Sequence, residues 1–528
     1  MFEKVLIANR GEIAVRIVRT LQQMGIRAAA IYSEPDRSAP HVTAADEVYP
    51  LQGKTSAETY LRGDRIIEIA KANGVDAIHP GYGFLSENAG FALACADAGL
   101  TFIGPTPEVI RRMGDKLEAK KVFSEAGVPI VPGWAGDAEG KNVTKQSRDR
   151  KGAVSHPVPE PLPHGRGSDQ KNIANEADKI GYPVLIKAAA GGGGKGMRVV
   201  REKSELSDAV ESAQREAQSA FGDGRVFLEK FIERPRHVEI QIFGDHHGHV
   251  VHLFERECSI QRRHQKIIEE SPSPALTPDL RKRMGEAAVK AAKAIGYTNA
   301  GTVEFMVDGN GAFYFLEVNT RLQVEHPVTE MVVGHDLVRA QILVAAGNEL
   351  PFTQSDLSQT GHALECRIYA EDAAKGFLPS TGTLAHYVPP VGPNIRVDSG
   401  VVSGSEVSVY YDPMLAKLIV WGRTREEAIA RMSWALDHFV VMGVTTNIEF
   451  LRNLMSHSDF RAGRVHTQFL QEQTILATRG GDIPEAAWIA AALVTQRPTP
   501  SRNQQMPCDG TSLNRLGPWT VGTPWRVS

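Results

Sequence analysis

Two stretches carry residue types that could do chemistry. The first, Leu185 to Val200, reads LIKAAAGGGGKGMRVV, four glycines and a lysine between two strand-like runs. Lys195 is followed by Gly196 where a Walker loop needs Ser or Thr for magnesium, and no helix signal follows, which argues against a Walker site. What remains is a glycine hairpin, with Gly192, Gly193 and Gly194 at its centre. Its backbone N–H groups can close over phosphates, because glycine reaches positive φ and lets a ligand come near. The second stretch, Gly301 to Pro327, reads GTVEFMVDGNGAFYFLEVNTRLQVEHP and predicts a hairpin turning at Asp308 to Gly311. Alternation puts Thr302, Glu304 and Met306 on one face, and an even-length loop adds Phe315, Glu317 and Asn319 to it. Two carboxylates so placed need a cation between them, and with an amide oxygen they suit Mg²⁺ or Mn²⁺. Lys116 in MGDKLEAKK and Lys187 just before the glycine run are candidates for phosphate oxygens. Together these features predict a nucleoside triphosphate site that works by positioning and charge neutralisation.

The elements that must hold these residues read as α/β. At 528 residues the chain has room for about three or four domains. Its 59 basic and 62 acidic residues give a net charge of -3, so neither nucleic acid nor an anionic membrane is an expected partner. Four dispersed cysteines match no zinc spacing and suit a reducing compartment, here the cytoplasm; no run of 18 apolar residues or leader pattern is present. KVLIAN, GEIAVRIVRTLQQMG, RAAAIYS, RGDRIIEIAKANG and AIHPG alternate strand and helix, a parallel Rossmann-like pattern without the G-x-G-x-x-G of a dinucleotide site. Residues 135–172 lack periodicity and space prolines at 157, 159, 161 and 163, which predicts a disordered insertion. Met284, Ala288, Ala291 and Ile295 form the apolar stripe of a helix whose other face carries Glu286, Lys290 and Lys293. The last fifty or so residues are poorly periodic.

Six segments, ANRGEIAVRI, HPGYGFLSEN, GGGGKGMRVV, ERECSIQRRHQKIIEESP, EVNTRLQVEHPVTE and GHALECRIYAED, together resemble the biotin carboxylases of the ATP-grasp superfamily, over about residues 1–475 apart from the insertion. The resemblance implies a Rossmann-like N-terminal domain over 1–114 and an ATP-grasp domain over 115–335 with a mobile lid at about 130–233. A mixed α/β C-terminal domain over 336–475 and a poorly structured tail over 476–528 would follow. It implies that Lys116, Lys187 and His237 contact ATP phosphates, that Glu229 and Lys230 hold the adenine, and that Gln261, His264 and Lys266 line the substrate pocket. Glu304, Glu317 and Asn319 would bind two Mg²⁺ or Mn²⁺ ions. Arg321 would grip bicarbonate with the backbone N–H groups of Gln323 and Val324, Glu325 would be its base, and Arg367 would stabilise the ureido oxygen of biotin. Tyr82, Gly83 and Asp412 are further candidates for biotin contact.

The implied reaction is the ATP- and bicarbonate-dependent carboxylation of biotin via carboxyphosphate, the first half-reaction of acetyl-CoA carboxylase in fatty acid synthesis. Propionyl- or methylcrotonyl-CoA carboxylase and a catalytically silent nucleotide-binding assembly subunit are the alternatives. None of the 12 methionines is followed by lysine, the pair that accepts biotin in carrier domains, so a separate biotin carboxyl carrier protein and carboxyltransferase subunits are the expected partners. Arg19 and Arg396 match positions near the family's dimer contact, so a homodimer is expected. Two features depart from the family pattern: the insertion, and Ala190 where a glycine commonly sits, which stiffens the loop.

Overall fold

The computed structural model describes residues 1–134, 168–189, 197–263, 265–473 and 475. Gly192, Gly193, Gly194, His264, most of the expected insertion and the tail beyond 475 lie outside the described residues. The helix Ser168–Ile180 begins within the 135–172 segment, so that segment's end is helical where aperiodic chain was expected.

Near the N-terminus, strands β1 (Lys4–Ile7), β2 (Arg27–Tyr32), β3 (Glu47–Pro50), β4 (Ala77–His79) and β5 (Thr101–Phe102) form a parallel sheet in the order β3-β2-β1-β4-β5. Val5 and Ile7 pack into one cluster with Ile13 and Ile17 of the helix Gly11–Gln23, while Leu6 packs into another with Ala29, Ile31 and Ile78. Both faces of β1 are thus covered, which explains its unbroken apolar run.

A smaller sheet combines β6 (Gly133–Trp134), β7 (Val184–Ala188), β8 (Arg198–Val200) and β9 (Val226–Lys230) in the order β6-β9-β7-β8. Val184, Ile186, Val200 and Leu228 pack with Ala177, Val210 and Ala213 into a core of their own. β7 and β8, the strands flanking the glycine run, are antiparallel neighbours with Val184 opposite Val200, as a hairpin requires.

The third sheet has eight strands. It runs β14 (Phe313–Asn319), β13 (Asn299–Val307), β10 (Arg236–Gly244), β11 (Val250–Arg262), β12 (Gln265–Ser271), β15 (His362–Tyr369), then the strands Met414–Gly422 and Ile395–Ser399. It crosses the expected division between residues 335 and 336, because β12 pairs with β15 through Ile268 and Cys366. The helix Pro278–Ala294 covers part of it with Met284, Ala288 and Ala291, all buried as the stripe predicts, while Glu286, Lys290 and Lys293 are exposed. Along β10, Val238, Ile240 and Ile242 enter the core and the alternate residues His237, Glu239 and Gln241 are buried as well. A polar strand face that is buried must find charged partners, and it does so in the site below.

The register of β13 against β14 corrects one expectation. Val307 pairs with Phe313, which leaves a five-residue loop from Asp308 to Ala312 and would place Glu304 opposite Leu316. Asp308 closes that loop by accepting the N–H groups of Asn310 and Ala312, both at 2.9 Å. A bulge between the Phe305 and Glu304 pairs then absorbs one residue, so Glu304 lies opposite Glu317, and Thr302 opposite Asn319. Phe315 is therefore not on the glutamate face. It pairs with Phe305 in the core and stacks on Phe123 at 3.8 Å between ring centres. Phe315→Ala is expected to cost about 3–5 kcal/mol by chemical denaturation, as for other buried aromatics. A loss well under 1 kcal/mol would contradict this packing.

Candidate active site

A cavity of about 630 Å³ gathers most of the expected site residues. Its wall includes Lys116, Lys187, Lys230, His237, Gln261, Lys266, Glu304, Glu317, Asn319, Arg321, Gln323, Val324, Glu325 and Arg367. Glu229, buried, Tyr82, half-buried, and Asp412, exposed, are not among the lining residues. These side chains come from the helix Lys116–Glu125, the four-stranded sheet, the eight-stranded sheet and the loop after β14.

The centre is a network of alternating charges. Lys266 on β12 places Nζ 2.9 Å from Glu304 and 2.7 Å from Glu325, and also bonds Glu239 of β10. His237 Nε2 lies 2.8 Å from the other oxygen of Glu304. Glu325 precedes the helix His326–Val333, and its second oxygen accepts a bond from Arg367 at 2.9 Å. Arg367 on β15 is held in turn by Glu269 at 2.7 Å. Arg256, fully buried, ties Glu239 to Gln241, Thr302 and Thr329.

Electrostatics separates the two facing glutamates. Burial alone would push Glu304 up, but Lys266 and His237 overcome it and hold Glu304 below the usual carboxylate range. Glu317 is pushed up by burial and by the charge of Glu304, with Lys116 and Lys187 pulling the other way. Burial also opposes ionisation of Glu325, yet Lys266 and Arg367 hold it well below the ordinary value. Lys266, among three carboxylates, is held well above the usual lysine value in spite of burial.

Glu304 and Glu317 offer hard oxygen donors from directly opposite positions, which fits a divalent cation of the Mg²⁺ class. Asn319 donates Nδ2 to Glu304 at 2.8 Å and accepts from Arg321 on Oδ1 at 3.2 Å. In this arrangement it braces Glu304.

The expected adenine residues are engaged with the protein itself. Glu229 is shared by Lys187, at 2.9 Å, and Lys120, while Lys230 donates to the carbonyls of Gly181 and Tyr182 at 2.8 and 3.1 Å. Burial, with the neighbouring charge of Lys116, brings Lys187 down to about 8. Lys120 was not anticipated, although it stands one helical turn from Lys116 on the helix Lys116–Glu125, a spacing that puts both on one side. Glu87 is a second addition: it accepts the Thr320 N–H at 3.0 Å and Arg321 Nε at 2.8 Å, steering the guanidinium from the N-terminal part of the chain. Arg321 also donates to Gln323 Oε1 at 2.7 Å, and Gln261 contacts His237 and the carbonyl of Cys258.

A small sheet whose antiparallel strands flank a glycine run, set with lysines beside a strand pair bearing opposed carboxylates, defines an ATP-grasp site. Comparison with known proteins narrows the class. Residues 1–110 match the biotin carboxylase N-terminal domain, 146–353 the ATP-binding domain of the carbamoyl-phosphate synthase L chain, and 365–472 the biotin carboxylase C-terminal domain. The chain is 51% identical over 470 residues to a biotin carboxylase of Halalkalibacterium halodurans, covering 89% of this chain and 97% of that one. It is 52% identical over 471 residues to the mitochondrial methylcrotonoyl-CoA carboxylase subunit alpha of Arabidopsis thaliana, of which it spans 60%. Among solved structures, the biotin carboxylase domain dimer of the Hydrogenobacter thermophilus 2-oxoglutarate carboxylase, in complex with MgADP, ADP and bicarbonate, superposes with a TM-score of 0.80 at 48% identity, covering 89% of this chain and 98% of that chain. The chain belongs to the biotin carboxylase family.

Lys266→Met would leave Glu239, Glu304 and Glu325 short of their shared cation. It is expected to lower stability by about 3–5 kcal/mol, the usual result of removing one partner from a buried ion cluster. Added Mg²⁺ should raise the melting temperature of this variant more than that of the parent, since a divalent ion takes over Glu304. Equal melting temperatures without Mg²⁺ would contradict the assignment.

Proposed function

We propose that the chain carboxylates biotin presented on a separate carrier protein, consuming ATP and bicarbonate. The observation that carries this reading is Glu325, ionised and clamped between Lys266 and Arg367 on the wall of a cavity that also holds the opposed carboxylates Glu304 and Glu317. Glu304 and Glu317 would hold the divalent ions, whose contribution is to neutralise triphosphate oxygens. Lys116, Lys187 and His237 lie along the same wall, where phosphate groups would meet positive charge. Gly192, Gly193 and Gly194 would close over them, and the adenine would rest near Glu229 and Lys230.

Bicarbonate would sit against Arg321 and the N–H groups of Gln323 and Val324, with Glu325 taking its proton. Its oxygen then attacks the γ-phosphorus while the bond to the β-phosphate oxygen breaks, giving carboxyphosphate and ADP. Carboxyphosphate splits into carbon dioxide and phosphate. The phosphate takes the ureido N–H proton of biotin, and the nitrogen attacks carbon dioxide. A carboxylate held as low as Glu325 is a weak base while both cations rest on it. Were a phosphate to draw Lys266 away, Glu325 would gain proton affinity for the bicarbonate step, and Arg367 would serve the ureido oxygen later. Gln261, His264, Tyr82 and Asp412 would border the biotin side.

The final acceptor would be set by the carboxyltransferase partner. Acetyl-CoA is the expectation from the resemblance, while the names of the relatives also support methylcrotonyl-CoA or a 2-oxo acid. The dimer described for the Hydrogenobacter domain supports a homodimer here. Three buried free cysteines, Cys95, Cys258 and Cys366, accord with a reducing compartment such as the cytoplasm, and among the described residues no helix is long and apolar enough to cross a membrane.

ADP release should require bicarbonate and rise with free biotin, and Glu325→Gln should lower kcat by about 10²–10⁴-fold, the range for loss of a general base. ATP binding with no bicarbonate-dependent release would instead favour a silent nucleotide-binding subunit.

A further inference from the structure

Lys417 is fully buried on the strand Met414–Gly422, outside the residues that line the cavity. Its register places it directly opposite Arg367 on one side and Asp398 on the other, so the three side chains form a row across adjoining strands. Arg367 and Lys417 then reach two consecutive residues of the loop after β14. Arg367 bonds the carboxylate of Glu325, and Lys417 donates Nζ to the carbonyl of Val324 at 2.8 Å. Glu12, from the N-terminal helix, lies 3.8 Å from Nζ and Asp398 3.9 Å, and the ring of Tyr82 lies 5.5 Å away. A charge-assisted bond in a dry interior fixes a carbonyl more firmly than a neutral bond does.

The Val324 carbonyl belongs to the peptide that joins Val324 to Glu325. Its plane sets where the Glu325 side chain departs and how the helix His326–Val333 begins. We propose that Lys417 is a positioning residue for the reaction: by pinning the Val324–Glu325 peptide from behind, it aims the Glu325 carboxylate at bicarbonate. The inference rests on the proposed role of that carboxylate. It also gives the C-terminal and N-terminal parts of the chain a task in the chemistry, since Lys417 and its neighbour Glu12 come from them.

The test is steady-state ADP release by the full chain carrying Lys417→Met, with bicarbonate and ATP varied separately. The expected result is a bicarbonate KM raised about tenfold and a kcat lowered about tenfold to a hundredfold, as for small misplacements of reacting groups, with the ATP KM within about twofold of the parent. If Lys417→Met does not fold, Lys417→Gln is read in the same way, its shorter neutral side chain being unable to hold the carbonyl as Lys does. Bicarbonate KM and kcat within about twofold of the parent would overturn the proposal. So would equal changes in both KM values, or loss of folding in both variants, which would assign Lys417 to structure alone. A parent chain without bicarbonate-dependent ADP release would overturn the functional reading first, an outcome separate from an active parent with indifferent Lys417 variants.

Discussion

Glu304 and Glu317 face each other across neighbouring strands, where side chains begin about 4.5–5.5 Å apart. Glu304 is buried and Glu317 half-buried, and like charges at that range repel unless positive charge comes between or beside them. Much of the surrounding structure answers this constraint. Lys266 and His237 neutralise Glu304, Lys116 and Lys187 face Glu317, and Lys266 is itself over-supplied with carboxylates through Glu239 and Glu325. Without metal the protein's own cations carry the balance; a metal-bound nucleotide would release Lys266 and the lysines to act on substrate oxygens.

The same constraint bears on β10, which is buried on both faces. β10 sends Val238, Ile240 and Ile242 into an apolar core and His237, Glu239 and Gln241 into the charged one. Such a strand is held only if its polar side chains are paired, as Glu239 is by Arg256 and Lys266. The sheet continues through β12 and β15 to Lys417, so strands far apart in sequence supply Lys266, Arg367 and Lys417 to one short loop carrying Val324 and Glu325.

Local patterns made part of this legible in the sequence. The parallel N-terminal sheet followed from alternating strand and helix signals, and the helix Pro278–Ala294 from its apolar stripe. The pairing of Glu304 with Glu317 was reached although the loop has an odd length, because a one-residue bulge restored the parity; alternation alone cannot register a bulge, and Phe315 was placed on the wrong face for that reason. Glu87 and Lys120 were missed because what they touch, Arg321 and Glu229, lies more than 100 residues away in the chain. Lys417 escaped because Val324 is 93 residues away and their contact is visible only once β15 and its neighbour are set side by side. Glu229 and Lys230 show the limit of resemblance, since it marks positions without revealing which groups already hold them.

The central claim is that Glu304 and Glu317 together hold the cation that brings the triphosphate into register. The direct measurement is a Mn²⁺ titration followed by electron paramagnetic resonance, with ADP present, comparing the parent with Glu317→Gln. The account predicts that the variant binds Mn²⁺ at least about tenfold more weakly, the effect of losing one charged ligand, while its affinity for ADP without metal is unchanged. Equal Mn²⁺ affinity in the two proteins would contradict it.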